Sequence, residues 1–144
     1  MRGLLVIRRI KKLLEIVQHR FTRMTEGFSS LPYAERLLRL GLWTIERRRN
    51  RCDLIEVFKM FYCYTEIDIR VVFTLDGNDK GLRGHSKKIV NQDLTRILGN
   101  IFFSNRVIDR WNSLDKDTVD ALSLNCFKNR LHKIRSTRMG FFVD

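Results

Sequence analysis

The sequence predicts a mainly α-helical protein of about five helices in one compact domain, with at most a small two-stranded element around residues 70–90. Its 144 residues include one proline and eight glycines, which are too few turn-forming residues for a β-sandwich. In several segments apolar residues recur every three or four positions, the period of a helix with one buried face. With 44% hydrophobic residues, a chain of this length can bury a core.

The first helix is predicted over about residues 4–24. Its apolar stripe consists of Ile10, Leu14, Val17, Phe21 and Met24. Its opposite face carries Arg9, Lys12, Arg20 and Arg23. A basic amphipathic segment at this place is also typical of a mitochondrial transit peptide or of a membrane-surface helix. No apolar run approaches the roughly 20 residues that a transmembrane segment needs.

Two further helices are predicted on either side of a turn at Gly41. Pro32 fits the first position of a short second helix, and Gly41 fits the left-handed residue after its end. Thr44 is a suitable N-cap for a third helix. The core face predicted for this third helix consists of Leu54, Val57, Phe58 and Phe61.

The rest of the chain is predicted to be extended first and then helical again. Residues 70–75 and 85–90 are candidates for short strands, and residues 76–84 for an exposed loop. Residues 101–114 form a helix, and Ser123 caps a last helix. The inner positions of these two helices are Phe103, Val107, Trp111 and Leu114, and then Leu124, Phe127, Leu131 and Ile134. Between them, Asp115 and Asp117 are expected to be solvated surface acids.

A formal net charge of +12 and a pI of about 10.3 point to a polyanionic partner. RNA or DNA is the first candidate, and an anionic membrane surface is the second. The densest cationic run is Arg47, Arg48, Arg49 and Arg51, in the first turns of the third helix. Because a helix N-terminus favours acidic groups, helix stability alone does not explain this run. We therefore predict phosphate contacts, although charge runs also occur as plain solvated faces.

Two other groups of residues are candidates for nucleic-acid contact. Trp43 precedes the arginine run and either covers the start of the helix or stacks on an unpaired base. A second basic patch is predicted at Arg83, His85, Lys87 and Lys88. For His85 the simpler interpretation is a polar residue satisfied within a turn.

The sequence predicts no catalytic residue, no metal site and no cofactor. It contains no phosphate-binding loop, no nucleophile elbow and no zinc-protease motif. It also has no adjacent aspartates of the kind that hold metal ions in a polymerase. The cysteines, Cys52, Cys63 and Cys126, form no Cys-x-x-Cys pair, and Cys52 and Cys63 are predicted to be buried reduced thiols. This indicates an intracellular protein, nuclear or cytoplasmic, with a mitochondrial location as the alternative.

Six blocks of the chain resemble, in order, the C-terminal tail of non-LTR (LINE-type, jockey-like) retrotransposon polyproteins. They are residues 17–24 (VQHRFTRM), 31–37 (LPYAERL), 39–59 (RLGLWTIERRRNRCDLIEVFK), 83–86 (RGHS), 102–114 (FFSNRVIDRWNSL) and 123–131 (SLNCFKNRL). Three positions depart from the pattern of this family. Cys52 stands where a glycine is usual, residues 62–65 replace a turn that contains glycine, and Asp115 replaces a proline.

The resemblance implies a helical domain over residues 10–135, with a basic extension at residues 1–9 and a frayed tail at residues 136–144. It also implies a reverse-transcriptase origin without reverse-transcriptase activity, because the family's catalytic aspartates lie upstream of this tail. The function expected from it is non-catalytic binding of RNA or DNA. Two alternatives remain: an interaction module that docks on a polymerase body, and a basic protein of membrane surfaces or mitochondria.

Overall fold

A computed structural model describes residues 2–77, 84–91 and 101–143, with side chains from Arg8 onward and, in the helix that begins at Ile101, from Arg106 onward. The described part is mainly helical, with one small antiparallel sheet. Its elements are α1 (Arg2–Arg23), α2 (Tyr33–Arg39), α3 (Ile45–Phe61), α4 (Ile69–Val72), β1 (Phe73–Leu75), β2 (Ile89–Asn91), α5 (Ile101–Asn112), α6 (Lys116–Val119) and α7 (Leu124–Thr137). The predicted fold class is confirmed, and the two helices beyond the predicted five, α4 and α6, are single turns.

The contacts divide the chain into two compact units. The first consists of residues 1–49 with 143–144, and the second of residues 50–142. The boundary falls within α3, between Arg49 and Asn50. The predicted domain limits at residues 10 and 135 stay a prediction.

Polar contacts hold α1 in the first unit. Gln18 Nε2 donates to the carbonyl oxygen of Trp43 at 2.8 Å. The hydroxyl of Tyr33 donates to Glu15 Oε1 at 2.6 Å. Arg36 is buried and donates to the carbonyl oxygen of His19 at 3.0 Å. The side of α1 that faces its own unit is therefore hydrogen-bonded rather than apolar.

The ends of α2 and α3 follow local rules that the sequence already indicated. Gly41 has a φ of 66°, and the Leu42 N–H donates to the carbonyl oxygen of Leu37 at 2.9 Å. These features define a Schellman cap. The Arg47 N–H donates to Thr44 Oγ1 at 3.3 Å, which confirms the predicted N-cap of α3.

A cysteine occupies the left-handed position after α3. Cys63 has a φ of 56°, and the Tyr64 N–H donates to the carbonyl oxygen of Lys59 at 2.9 Å. This is a second Schellman cap, built without the glycine that normally relieves the steric cost of this conformation. Cys52 and Cys63 are both exposed, so the prediction that these two thiols are buried is wrong.

The core of the second unit is aromatic. The rings of Phe58 and Phe127 stack at a centroid distance of 4.3 Å, and Phe61 stacks on Trp111 at 5.3 Å. Trp111 is fully buried and donates its indole N–H to the carbonyl oxygen of Lys87 at 2.7 Å. The predicted core positions Val107, Leu114, Leu131 and Ile134 are also buried, whereas Phe103 lies outside the described side chains.

The predicted two-stranded element is present in the second unit. β1 and β2 pair antiparallel, with Phe73 opposite Asn91 and Leu75 opposite Ile89. Phe73 and Ile89 are fully buried, so the sheet packs one face into the core of this unit.

Side-chain caps start the last two helices of the second unit. Asp115 accepts from the N–H of Thr118 at 2.9 Å and from its hydroxyl at 2.8 Å. It is therefore the N-cap of α6 and not merely a solvated acid. Ser123 Oγ accepts from the Cys126 N–H at 3.1 Å, which confirms the predicted cap of α7.

The segment after α7 packs against the second unit. Asn50 is buried and donates from Nδ2 to the carbonyl oxygen of Phe142 at 2.8 Å. Arg110 donates to the carbonyl oxygen of Phe141 at 3.0 Å. Phe142 is buried, so this part of the predicted frayed tail is ordered by contacts.

Candidate nucleic-acid interface

The positive charge of the chain is concentrated in its first third. Residues 1–49 contain 12 Lys or Arg against four Asp or Glu, a formal net charge of +8 out of +12. A field of this kind attracts polyanions by steering and by counterion release. The first unit is therefore the part of the chain best suited to bind a polyanion.

An open cleft of about 500 Å³ lies between α1 and the start of α3, within the first unit. Four cationic side chains line it: Arg8, Lys11, Lys12 and Arg47. The other lining residues are Glu15, Thr44, Ile45, Glu46 and Val143. We call this feature the α1–α3 cleft.

Glu15 links α1 to the start of α3 and so fixes the geometry of the α1–α3 cleft. Its Oε2 accepts from the Ile45 N–H at 3.0 Å, while its Oε1 accepts from the Tyr33 hydroxyl. Burial raises the pKa of the Tyr33 phenol, and the hydrogen bond to the Glu15 carboxylate raises it further. Tyr33 therefore remains a donor at neutral pH and holds the carboxylate in place.

The hydrogen bond between Glu15 and the Ile45 N–H also explains how the N-terminus of α3 tolerates several arginines. A helix N-terminus favours a nearby carboxylate, and α1 supplies it through Glu15. Thr44 caps a second N–H, and Glu46 adds an acid within the first turn of α3. These three groups offset the unfavourable placement of Arg47 and Arg48.

Arg47 and Arg48 are the members of the run that remain available to a ligand. Arg47 lines the cleft and is half-buried, whereas Arg48 is exposed. Neither forms an ion pair with a carboxylate in residues 2–77, 84–91 or 101–143. By contrast, Arg49 and Arg51 are half-buried and have partners within the chain. Arg51 also belongs to the second unit.

The position of Trp43 indicates a structural role. Only 9% of its surface is exposed, and its carbonyl oxygen accepts from Gln18. Because stacking on a base needs an exposed ring face, this position favours the interpretation that Trp43 covers the start of α3.

The structure does not bring the second predicted patch together as a surface. Arg83 lies outside the described residues. His85 is 4% exposed, and its Nε2 lies 2.9 Å from the carbonyl oxygen of Trp111. Burial lowers the pKa of His85, so the ring is neutral at pH 7 and donates to that carbonyl. A buried neutral ring is unsuited to contact an external phosphate.

Lys87 is engaged within the second unit. It forms an ion pair with Asp120 and donates to the Tyr62 hydroxyl at 3.0 Å. Burial lowers the pKa of Lys87, but these two hydrogen bonds outweigh burial and the pKa is raised. The hydrogen bond from Lys87 lowers the pKa of Asp120. Among the described members of the predicted patch, only Lys88 is neither buried nor paired with a carboxylate.

No protein-family profile, curated protein or solved structure matches this chain. The resemblance to retrotransposon reverse transcriptases therefore rests on the sequence blocks quoted above.

Sequence reasoning missed three cationic residues of the cleft, Arg8, Lys11 and Lys12. The signal was present, because α1 has a basic face, but the sequence does not tell which element that face adjoins. In the part of the chain that the structure describes, no group of three or more His, Cys, Asp or Glu could hold a metal ion. Among the same residues, no helix combines the length and the apolar character needed to cross a bilayer.

Proposed function

We propose that this protein binds the phosphate backbone of RNA or DNA through the α1–α3 cleft, without catalysing a reaction. We further propose that it descends from the tail of a LINE-type reverse transcriptase. The observation that carries the first proposal is the convergence of Arg8, Lys12 and Arg47 on one open cleft beside the exposed Arg48.

The chemistry of the cleft suits a phosphate. Arginine presents a planar set of donors that matches two phosphate oxygens, and lysine adds a compact charge. Arg8 and Lys12 lie one helical turn apart on α1, so both can reach successive phosphates of one strand. The cleft stays positive overall, because its four cationic side chains outnumber its two acids, Glu15 and Glu46.

Binding by backbone contacts predicts a steep dependence on salt. We expect fluorescence anisotropy with labelled single-stranded RNA and duplex DNA to show affinity that falls linearly on a logarithmic salt scale. The double variant Arg47→Gln/Arg48→Gln should weaken binding about tenfold and reduce the slope by about 1 to 2. Arg8→Gln/Lys12→Gln should act in the same direction.

A matched control tests whether the cleft itself matters. Lys128→Gln/Lys133→Gln removes two charges from α7, in the second unit, and should change affinity less than twofold. An absence of salt-sensitive affinity for either nucleic acid would overturn the proposal. An equal loss in the α7 control would also do so, because binding would then follow net charge and not the cleft.

Two further measurements address origin and catalysis. An in-frame region encoding a polymerase palm in the upstream genomic flank would support the retrotransposon origin. Nucleotide incorporation by the purified chain would contradict the proposal that the chain is non-catalytic.

A further inference from the structure

Helix α1 presents an apolar surface to solvent. Five of its side chains and the residue that follows it are between 48% and 83% exposed: Ile10, Leu13, Leu14, Val17, Phe21 and Met24. Because successive helical residues are about 100° apart, these six side chains fall within an arc of about 100°. We call this surface the α1 stripe.

The orientation of α1 is the reverse of an ordinary surface helix, which turns its apolar side to the core. The side turned towards the first unit carries Glu15, Gln18 and Thr22. Glu15 and Gln18 hydrogen-bond to other elements of the unit, and Thr22 is fully buried. The side chains of the α1 stripe lie outside this hydrogen-bonded side, and about half or more of the surface of each is exposed. A continuous exposed apolar surface of this kind is typical of an interaction site.

The charges around the α1 stripe indicate what covers it. Residues 8–23 carry six Lys or Arg and a single acid, Glu15, which is held inside the unit. Arg9 and Arg20 are exposed and lie along one border of the stripe. No acidic residue of α1 lies on the stripe or beside it. The occupant is therefore apolar where it meets the stripe and anionic at the border.

A second copy of the chain fits these charges poorly. In an antiparallel pair of α1 helices, the border that carries Arg9 and Arg20 would face the same border of the other copy. Like charges at such a border oppose association. An anionic bilayer supplies an apolar layer beneath a negatively charged one, which is the complement that α1 presents.

We propose that the α1 stripe docks on the surface of an anionic lipid bilayer, with α1 lying in the plane of the interface. The apolar side chains of the stripe enter the boundary between headgroups and acyl chains. Arg9 and Arg20 contact the anionic headgroups. This inference is independent of nucleic-acid binding, because Arg8 and Lys12 lie on the opposite side of α1 from the stripe.

Vesicle flotation with the full chain tests the proposal. We expect the protein to float with vesicles of phosphatidylcholine and 30% phosphatidylserine, and to bind pure phosphatidylcholine at least tenfold more weakly. Leu14→Gln/Val17→Gln/Phe21→Gln should lose at least tenfold on the anionic vesicles. Arg9→Gln/Arg20→Gln should lose about 25-fold, from about fivefold for each cation.

An apolar control is available in the second unit. Leu122 and Met139 are each 96% exposed, so Leu122→Gln/Met139→Gln removes exposed apolar surface from the second unit. This variant should float like the unchanged protein. Arg47→Gln/Arg48→Gln should also float normally, which separates this proposal from the nucleic-acid proposal.

Three outcomes would overturn the inference. The first is equal binding to neutral and anionic vesicles, and the second is a stripe variant that floats like the unchanged protein. The third is a dimer in analytical ultracentrifugation that the stripe variant abolishes, since the occupant would then be a second copy.

Discussion

The side-chain amide of Asn112 pairs with both backbone polar groups of Ile89. Its Oδ1 accepts from the Ile89 N–H at 2.9 Å, and its Nδ2 donates to the Ile89 carbonyl oxygen at 2.8 Å. The amide thus acts as one residue of a third strand beside β2. It joins the end of α5 to the sheet.

Asn112→Ala should destabilise the second unit by about 1 to 3 kcal/mol, because it leaves a partly buried N–H and carbonyl without these partners. Urea denaturation followed by circular dichroism measures the loss. The adjacent Ser113→Ala is the control, since the Ser113 hydroxyl is exposed and donates only to a carbonyl of its own helix. An unchanged urea midpoint for Asn112→Ala would contradict this role.

Cys63→Gly should stabilise the protein by about 0.5 to 1 kcal/mol. Glycine relieves the left-handed conformation at a φ of 56°, and no buried contact is lost because the thiol is exposed. Cys52→Gly is the matched comparison, since Cys52 is also exposed but lies inside α3. It should destabilise by about 0.3 kcal/mol. Thermal unfolding should shift upward for the first variant and downward for the second.

The stability of the second unit should fall as the pH drops from 7.5 to 5. Burial lowers the pKa of His85 in the folded chain, while the unfolded chain keeps a value of about 6.5. The unfolded state therefore binds more protons in this range, so the contribution of His85 is complete above about pH 7 and is lost as the pH falls. In His85→Gln, unfolding free energies from urea titrations should vary less over this range. An equally steep pH dependence in the variant would contradict the assignment.

The Lys87–Asp120 pair should contribute to stability over a broad central pH range. The pKa of Asp120 is lowered, so its contribution is present above its ordinary value of about 4 and is lost as the pH falls below it. The pKa of Lys87 is raised, so its contribution is lost only as the pH rises above about 10. Because both side chains are about one-third exposed, Asp120→Asn should cost only about 0.5 to 1 kcal/mol at pH 7. This difference should shrink as the pH falls below about 4.

Glu15→Gln should strengthen RNA binding about two- to fivefold while lowering stability by about 1 kcal/mol. The change removes the negative charge from the floor of the α1–α3 cleft and also removes one of its two hydrogen bonds. Glu26→Gln is the control, because Glu26 is exposed and does not line the cleft. If Glu15→Gln weakened binding, the cleft would not be the site of phosphate contact.

Features set by local chemistry could be predicted from the sequence. The caps at Gly41, Thr44 and Ser123 depend on residues within a few positions of the helix ends, and all three are confirmed. The core residues Trp111 and Phe127 lie on helical apolar stripes, and both are buried. The short strands were harder to place, because three residues are too few to show an alternating pattern.

Features that depend on contacts distant in sequence could not be predicted. The periodicity of α1 shows two faces but does not tell which one meets the rest of its unit. For the same reason the sequence does not show that Arg8 and Lys12 line the same cleft as Arg47. His85 and Lys87 appeared to be surface cations because their partners, Trp111 and Asp120, are 26 and 33 residues away. The prediction that Cys52 and Cys63 are buried is wrong because it rests on the general tendency of cysteine to be buried. That tendency does not account for the outer face of α3 or for a left-handed turn.

The hydrogen bond between Asn50 and Phe142 joins residues 92 positions apart. At a synthesis rate of about 5 to 20 residues per second, Asn50 leaves the ribosomal exit tunnel roughly 5 to 18 s before its acceptor. For most of that interval Phe58 lacks Phe127, the α7 side chain whose ring stacks on it in the folded unit. The second unit can therefore complete its folding only after residue 142 has emerged, and until then the apolar face of α3 is incompletely covered.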